Sequence, residues 1–163
     1  MRVFHDILRA LDEDRIRYVL VGGVAVVIHG FARFTKDLDL MIDLAPAEAK
    51  RAINTLLRCG LRPRVPVDAF DFARPECRET WITEKNMLVF QMIDEQDLRR
   101  NVDLFVSNPI EFDVVWNGSS TVKVDGVNIR VASIDHLIAL KEQSARPQDL
   151  IDIEQLRRLK EIE

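Results

Sequence analysis

The sequence predicts a single α/β domain, in which a short mixed β-sheet is flanked by helices and followed by a C-terminal helical segment. Apolar residues recur three and four positions apart in some segments and alternate or run continuously in others, which indicates both helices and strands. Glycine and proline separate these segments. A chain of 163 residues has the size of one domain and can bury a substantial core. We place the α/β core at about 1–131 and the helical segment at 133–163.

The first half of the chain alternates helices with strands. We expect a helix over 3–11, a strand over 18–21, a helix over 24–29, a strand over 37–42 and a helix from Pro46 to Gly60. The second of these helices is expected to begin just after a pair of glycines. Residues 61–79 contain three prolines and no sustained period, so we expect a loop with short pieces of structure there.

The second half is predicted to hold strands first and helices last. Three strands are expected over 87–93, 102–106 and 112–116, followed by a hairpin of 122–124 and 127–131. Asp125-Gly126 joins the hairpin, because this pair tolerates the positive φ of a two-residue turn. Ser133 is expected to cap one helix and Pro147 to begin the last.

Charge and cysteine content exclude several classes of protein. A net charge of −4 argues against a protein that coats nucleic acid by bulk electrostatics, although a local basic patch remains open. Cys59 and Cys77 form no CxxC pair, so neither a zinc site nor a disulfide framework is indicated. The longest apolar stretch, 18–30, is too short to span a bilayer. We expect a cytoplasmic protein without a membrane partner.

Two aspartates stand out on the predicted strand over 37–42. Asp37 and Asp39 are two positions apart and therefore point to the same face, while Leu38 and Leu40 point into the core. Adjacent carboxylates in a cleft require a neutralising cation or a shared proton, and such oxygen ligands favour Mg²⁺ or Mn²⁺. The pair alone leaves open that Asp37 caps a turn and Asp39 lies at a solvated edge.

A glycine pair and a third aspartate strengthen the metal hypothesis. Gly22-Gly23 stands between a predicted strand and a helix, where backbone N–H groups can receive phosphate oxygens; a simple tight turn is the alternative. Asp103 lies between Val102 and Leu104, where an unpaired carboxylate would be costly to bury. If its strand adjoins the strand of Asp37, three carboxylates converge, which suffices for two metal ions.

These residues resemble a known signature. Gly22-Gly23, His29-Gly30, Arg33, Thr35 and Asp37-x-Asp39 are similar to the pattern of the DNA polymerase beta-like nucleotidyltransferase superfamily. The closest branch is the small AbiEii-like proteins of bacterial toxin–antitoxin and phage-defence systems. The resemblance implies the nucleotidyltransferase fold, a nucleoside triphosphate as substrate and two Mg²⁺ or Mn²⁺ ions. It assigns the triphosphate to Gly22 and Gly23, and catalysis and metal binding to Asp37, Asp39 and Asp103.

The resemblance continues, with less specific motifs, in the C-terminal segment. Lys141 matches a phosphate-binding lysine, and Arg146, Asp149 and Asp152 follow it as weaker candidates for completing the site. The alternative is a solvated lysine on an amphipathic helix with plain surface charges downstream. Arg33 and Lys36 precede the aspartate pair closely enough to neutralise phosphate.

One departure from the family pattern affects the functional hypothesis. Gly23 stands where many members have serine, so a side-chain hydroxyl is missing at the phosphate turn. We expect transfer of a nucleoside monophosphate onto a hydroxyl of RNA or tRNA, a protein or a small molecule. The alternative is a catalytically weak or inactive protein that acts as a toxin–antitoxin binding partner. An RNA-cleaving metal nuclease ranks last, because it does not explain the glycine pair. The oligomeric state is left open.

Overall fold

The computed structural model describes residues 1–162, which form a mixed sheet with helices packed against it. The strands are β1 (Tyr18–Val21), β2 (Asp37–Ile42), β3 (Arg62–Pro63), β4 (Val89–Ile93), β5 (Asn101–Phe105), β6 (Ser120–Val124) and β7 (Val127–Val131). The helices are α1 (His5–Glu13), α2 (Gly22–Ile28), α3 (Pro46–Arg58), α4 (Pro75–Lys85), α5 (Phe112–Gly118), α6 (Ile134–Ser144) and α7 (Pro147–Ile162), with 3₁₀ turns at Arg2–Phe4 and Ala69–Ala73.

The seven strands follow the order β3-β4-β5-β2-β1-β7-β6, which places β2 in the middle of the sheet. On one side β2 pairs with β1 antiparallel, and on the other it pairs with β5 parallel. All four residues of β1 are buried, as expected for a strand covered on both faces. The predicted α/β class and mixed sheet are therefore confirmed.

Local sequence signals explain where several elements begin and turn. Pro46 occupies the first turn of α3, where its missing N–H needs no partner. The Ser133 side chain accepts a hydrogen bond from the backbone N–H of His136 and so caps α6, as predicted. Asp125 and Gly126 both have positive φ, at 47° and 84°, which confirms the predicted hairpin between β6 and β7.

The structure corrects the predicted strand over 112–116, because this segment is the helix α5. Its β-branched and aromatic residues suggested a strand, but burial follows helical spacing. Phe112 and Val115, three positions apart, are buried, whereas Val114 is exposed. Phe112 and Trp116 are one helical turn apart and their rings stack with centroids 5.9 Å apart. Packing against the core decides the conformation here, not intrinsic strand propensity.

The predicted loop over 61–79 also contains more structure than expected. It holds β3 and a 3₁₀ turn, and its last residues begin α4 at Pro75. Apart from Trp81, which stacks on Phe90 with centroids 5.1 Å apart, α4 buries few apolar side chains. A helix that buries so little shows almost no apolar period in its sequence, so the pattern did not reveal it.

The C-terminal helices α6 and α7 pack against each other, and α6 also contacts α2. Gly30, which follows α2, lies against Leu159 of α7, and the charge of Lys141 on α6 acts on Asp39 of β2. No helix within residues 1–162 is long and apolar enough to cross a membrane.

Candidate active site

The candidate site is a row of polar side chains on one face of the sheet. Asp37 and Asp39 are half-buried, whereas Leu38 and Leu40 between and beyond them are fully buried. The parallel pairing of β2 with β5 places Asp39 directly opposite Asp103. The structure thus brings the third predicted aspartate beside the predicted pair, because β5 adjoins β2 in the sheet.

The carboxylates of the row influence one another's pKa. Burial, with the neighbouring charges of Asp103 and Asp37, raises the pKa of Asp39 from 3.8 to about 7. A backbone hydrogen bond from Gly23 and the charge of Lys141 act in the opposite direction. Burial also raises the pKa of Asp103, and the charge of Asp37 adds to this effect. Full ionisation of the row is therefore unfavourable unless a cation lies nearby.

The row fits a divalent cation in the chemistry of its donors. Its ligands are carboxylate oxygens, which Mg²⁺ and Mn²⁺ prefer, and a cation would relieve the repulsion that raises the pKa of Asp39. Among residues 1–162, no three His, Cys, Asp or Glu side chains are already gathered closely enough to hold a metal ion. Sharing an ion would require the aspartate side chains to turn toward one another.

The glycine pair lies directly against this row. The structure corrects the predicted start of α2, since Gly22 and Gly23 are its first two residues instead of preceding it. Gly22 has φ +66°, and a Cβ added there would lie 2.0 Å from Oδ2 of Asp39. Glycine is required at this position for its conformation and for the close approach of the carboxylate. The carboxylate row and the glycine turn therefore form one continuous site.

A hydroxyl group lies close to the second glycine. A Cβ added to Gly23 would lie 2.5 Å from Oγ1 of Thr35. The Thr35 side chain therefore fills the space that a serine at position 23 would need. Position 23 therefore lacks the serine hydroxyl of many family members, but the hydroxyl of Thr35, from the loop before β2, lies beside it.

Lys141 lies in a buried network of ion pairs. Its Nζ donates to Oδ2 of Asp152 at 2.6 Å and to Oδ1 of Asp149 at 3.3 Å. Asp152 is fully buried and also binds the guanidinium of Arg33, which precedes β2. Asp149 and Asp152 are thus not surface charges. The network ties α6 and α7 to the loop that leads into the carboxylate row.

Asp149 is held in its ionised form. Although burial alone would raise its pKa, hydrogen bonds from Ser144 and Arg146 and the charge of Lys141 lower the pKa from 3.8 to about 2. The backbone N–H and Nε of Arg146 both donate to Oδ2 of Asp149. The remaining predicted residue, Lys36, is exposed beside Asp37.

Sequence reasoning missed two residues that extend the row. Nε2 of Gln91 donates to Oδ1 of Asp103 at 2.8 Å, and Nη1 of Arg64 donates to Oε1 of Gln91 at 2.6 Å. The one sequence signal was a glutamine between the apolar Phe90 and Met92 on a predicted strand. Its partner became identifiable only once the pairing of β4 with β5 was known.

This sheet, with an acidic row beside a glycine turn, has the fold of solved nucleotidyltransferases. The chain belongs to the family described as "Nucleotidyl transferase AbiEii toxin, Type IV TA system", whose sequence model matches residues 6–163. The resemblance inferred from the sequence is confirmed, and the protein is an enzyme of the nucleotidyltransferase class. The comparison with curated proteins finds no significant match.

Solved structures share the fold at low sequence identity. The lincosamide antibiotic adenylyltransferase LnuA, lincomycin-bound, is 18% identical with a TM-score of 0.64, over 97% of this chain and 96% of LnuA. ANT(2″)-Ia in complex with adenylyl-2″-tobramycin is 15% identical with a TM-score of 0.57, over 99% and 94% of the two chains. An antigenic nucleotidyltransferase-like protein from Paracoccidioides brasiliensis is 17% identical with a TM-score of 0.58, over 94% and 72%.

Proposed function

We propose that the protein transfers a nucleoside monophosphate from a nucleoside triphosphate onto a hydroxyl acceptor, with Asp37, Asp39 and Asp103 as its catalytic and metal-binding carboxylates. The observation that carries this proposal is the position of Asp39, which lies opposite Asp103 and against Gly22. Metal ligands and a phosphate-binding turn must lie side by side in phosphoryl transfer, because the same triphosphate contacts both.

The aspartates would hold two Mg²⁺ or Mn²⁺ ions. Ions held there would supply positive charge to neutralise the triphosphate and to lower the pKa of the acceptor hydroxyl. The acceptor oxygen forms a bond to the α-phosphorus while the bond from that phosphorus to the bridging oxygen breaks, and pyrophosphate leaves. Asp103 would take the hydroxyl proton on Oδ2, the oxygen that the Gln91 amide does not bind. Asp37 and Asp39 contribute the remaining ligands.

The backbone N–H of Gly22 would donate to the phosphates, and that of Gly23, which donates to Asp39 in this structure, would exchange the carboxylate for a phosphate oxygen. Lys36 is exposed next to the row. For Lys141 and Arg33, phosphate binding would compete with the ion pairs to Asp149 and Asp152. We assign these two aspartates the role of holding Lys141 and Arg33 close to the site, and Arg146 the role of keeping Asp149 ionised.

Transfer of label tests the proposal. Purified protein is incubated with each α-labelled nucleoside triphosphate and Mg²⁺ or Mn²⁺, together with total tRNA, a protein fraction or hydroxyl-bearing small molecules. We expect metal-dependent labelling of one acceptor class and its loss in Asp39→Asn. Asp113→Asn, which removes a carboxylate that is 73% exposed and binds Arg17, is the matched control and should label normally.

The outcome also separates the enzyme from a toxin–antitoxin binding partner. Equal labelling by Asp39→Asn and wild-type protein would refute the assignment of the carboxylates. If neither protein labels any acceptor, while both bind a partner protein equally tightly, the binding role is favoured over transfer. Thermal unfolding of each variant establishes that a loss of label is not a loss of fold.

A further inference from the structure

The polar row on the sheet continues past the aspartates to Gln91. In the antiparallel pairing of β4 with β5, Gln91 lies directly opposite Asp103, which in turn lies opposite Asp39. Cross-strand neighbours share a face of the sheet, so the three side chains are consecutive members of one row. Gln91 is half-buried and its amide contacts Asp103 on one side and Arg64 on the other.

The chemistry of the three groups permits one orientation of the amide. A guanidinium has donors and no acceptor, whereas an ionised carboxylate has acceptors and no donor. Oε1 of Gln91 must therefore face Arg64, and Nε2 must face Asp103. In the flipped orientation, two donors would face each other on one side and two acceptors on the other. Arg64 thus decides which end of the amide meets Asp103.

Arg64 is itself fixed beside the strand. Its backbone N–H donates to the carbonyl oxygen of Gln91 at 2.9 Å, directly after the short strand β3. The same two residues are therefore joined by a backbone and a side-chain hydrogen bond. The side chain is exposed and makes no hydrogen bond to Asp103, although its positive charge lowers the pKa of that carboxyl group.

We propose that Arg64 is a positioning residue that acts through Gln91: it fixes the amide so that Gln91 holds Oδ1 of Asp103 and leaves Oδ2 available to bind a metal ion. This inference rests on the proposed function, which makes Asp103 a metal ligand. Partners that orient a metal ligand change metal affinity and activity about 10–100-fold when removed. Arg64, which is exposed and lies outside the acidic row, thus affects catalysis through the amide of Gln91.

The rival explanation is that Arg64 acts directly, either by binding the triphosphate or the acceptor or through its charge on Asp103. A double-mutant cycle separates the two roles, because a residue that acts through Gln91 loses its effect when Gln91 is already replaced. The variants are Arg64→Met, Arg64→Lys, Gln91→Met and the double variant R64M/Q91M. Arg62→Met is the matched control, since it removes another exposed arginine, which donates to the Leu57 and Leu61 carbonyls.

The experiment measures kcat and KM for the triphosphate. It also measures the dissociation constant of Mn²⁺ alone, with binding monitored by electron paramagnetic resonance. Arg64→Met should lower kcat and weaken Mn²⁺ binding about 10-fold each, with KM within about twofold of the wild-type value. Arg64→Lys should largely restore both, because an ammonium also donates without accepting. Gln91→Met should match or exceed the loss, and the double variant should equal Gln91→Met. Arg62→Met should behave as wild type.

The results distinguish a failure of this inference from a failure of the proposed function. Suppose that the wild-type protein transfers label. If Arg64→Met then has the same kcat and Mn²⁺ affinity as Arg62→Met, or if the losses of the two single variants multiply in the double variant, Arg64 does not act through Gln91, and the proposed function stands. If the wild-type protein binds Mn²⁺ without transferring label, the proposed function fails, and the Mn²⁺ dissociation constants of the variants alone decide whether Arg64 acts through Gln91. A wild-type protein that binds no Mn²⁺ overturns both.

Discussion

Asp39 of β2 lies opposite Asp103 of β5, and its carboxylate also lies against the α-carbon of Gly22 at the start of α2. One side chain thus connects the acidic row with the glycine turn. Its burial and its acidic neighbours make the ionised form of Asp39 unfavourable in the metal-free protein, whereas a bound cation would favour that form. The stability of the protein should reflect this conflict.

In the metal-free protein, the free energy of unfolding should fall as the pH rises from about 4 to about 7. The pKa of Asp39 is raised from 3.8 to about 7, so the folded state keeps a proton that the unfolded state releases in this range. This contribution to stability is complete below the unfolded pKa and is lost as the pH rises through the folded pKa. Asp39→Asn should remove it and stabilise the metal-free protein at pH 8 by about 2–4 kcal/mol.

Urea unfolding in the presence of a chelator, at pH 5 and pH 8, measures this effect. Adding Mg²⁺ at pH 8 should stabilise the wild-type protein more than Asp39→Asn, because the variant lacks the charged ligand. The prediction is contradicted if the difference in unfolding free energy between the wild-type protein and Asp39→Asn is the same at pH 5 and at pH 8.

Substitution of Gly22 should be much more harmful than substitution of another glycine with positive φ. Gly22→Ala meets Oδ2 of Asp39 at 2.0 Å in addition to its φ of +66°. Gly60→Ala is the matched control, since Gly60 has φ +86° and nothing within 4 Å of an added Cβ. The control should cost about 1–2 kcal/mol, the usual cost of a left-handed residue.

Chemical denaturation of both variants gives the comparison. We expect Gly22→Ala to lower the free energy of unfolding by about 1–3 kcal/mol more than Gly60→Ala does, because overpacking usually costs this much. Equal losses would mean that the carboxylate moves aside freely and that the close approach of Asp39 to the turn is not required by the fold.

The sequence could predict the parts of the site that depend on local spacing. The period of two on β2 placed Asp37 and Asp39 on one face, and the polar Asp103 between apolar neighbours indicated a buried role. Gln91 carried a similar signal on β4, but its meaning depended on the order of the strands, which no local pattern contains. The position of Arg64 depended on a two-residue strand that is too short to produce a pattern.

Elements whose conformation depends on tertiary packing were the ones predicted wrongly. The segment with Val114 and Trp116 has residues that favour strands, yet it forms α5 because Phe112 and Val115 pack into the core at helical spacing. The buried state of Asp152 was equally invisible, since it results from contacts with Lys141 on α6 and Arg33 before β2. Such long-range ion pairs leave no periodic signal in the sequence.

Removal of the central carboxylate of that network should destabilise the fold strongly. Asp152→Asn leaves Lys141 and Arg33 without their shared buried partner, and breaking a buried pair costs about 3–5 kcal/mol. Asp135→Asn is the control, because Asp135 is 67% exposed and pairs with Lys160, and exposed pairs contribute about 0–1 kcal/mol. Urea unfolding at pH 7 compares them. Losses of similar size would show that the network around Asp152 does not hold α7 in place.

The presence of glycine at position 23 follows from the position of Thr35. A Cβ at position 23 would lie 2.5 Å from Oγ1 and 2.9 Å from Cβ of Thr35, so Gly23→Ser should overpack the turn and cost about 1–3 kcal/mol. Removing the obstructing atoms with Thr35→Gly should make room for the serine, and the double variant should then be more stable than the sum of the single losses predicts. Unfolding of the four proteins measures this coupling, which should exceed about 0.5 kcal/mol for residues in contact. Additive losses would show that Thr35 does not occupy the space of a serine side chain. Positive coupling would mean that glycine at this position is an adaptation to Thr35, and not in itself a sign of a lost phosphate site.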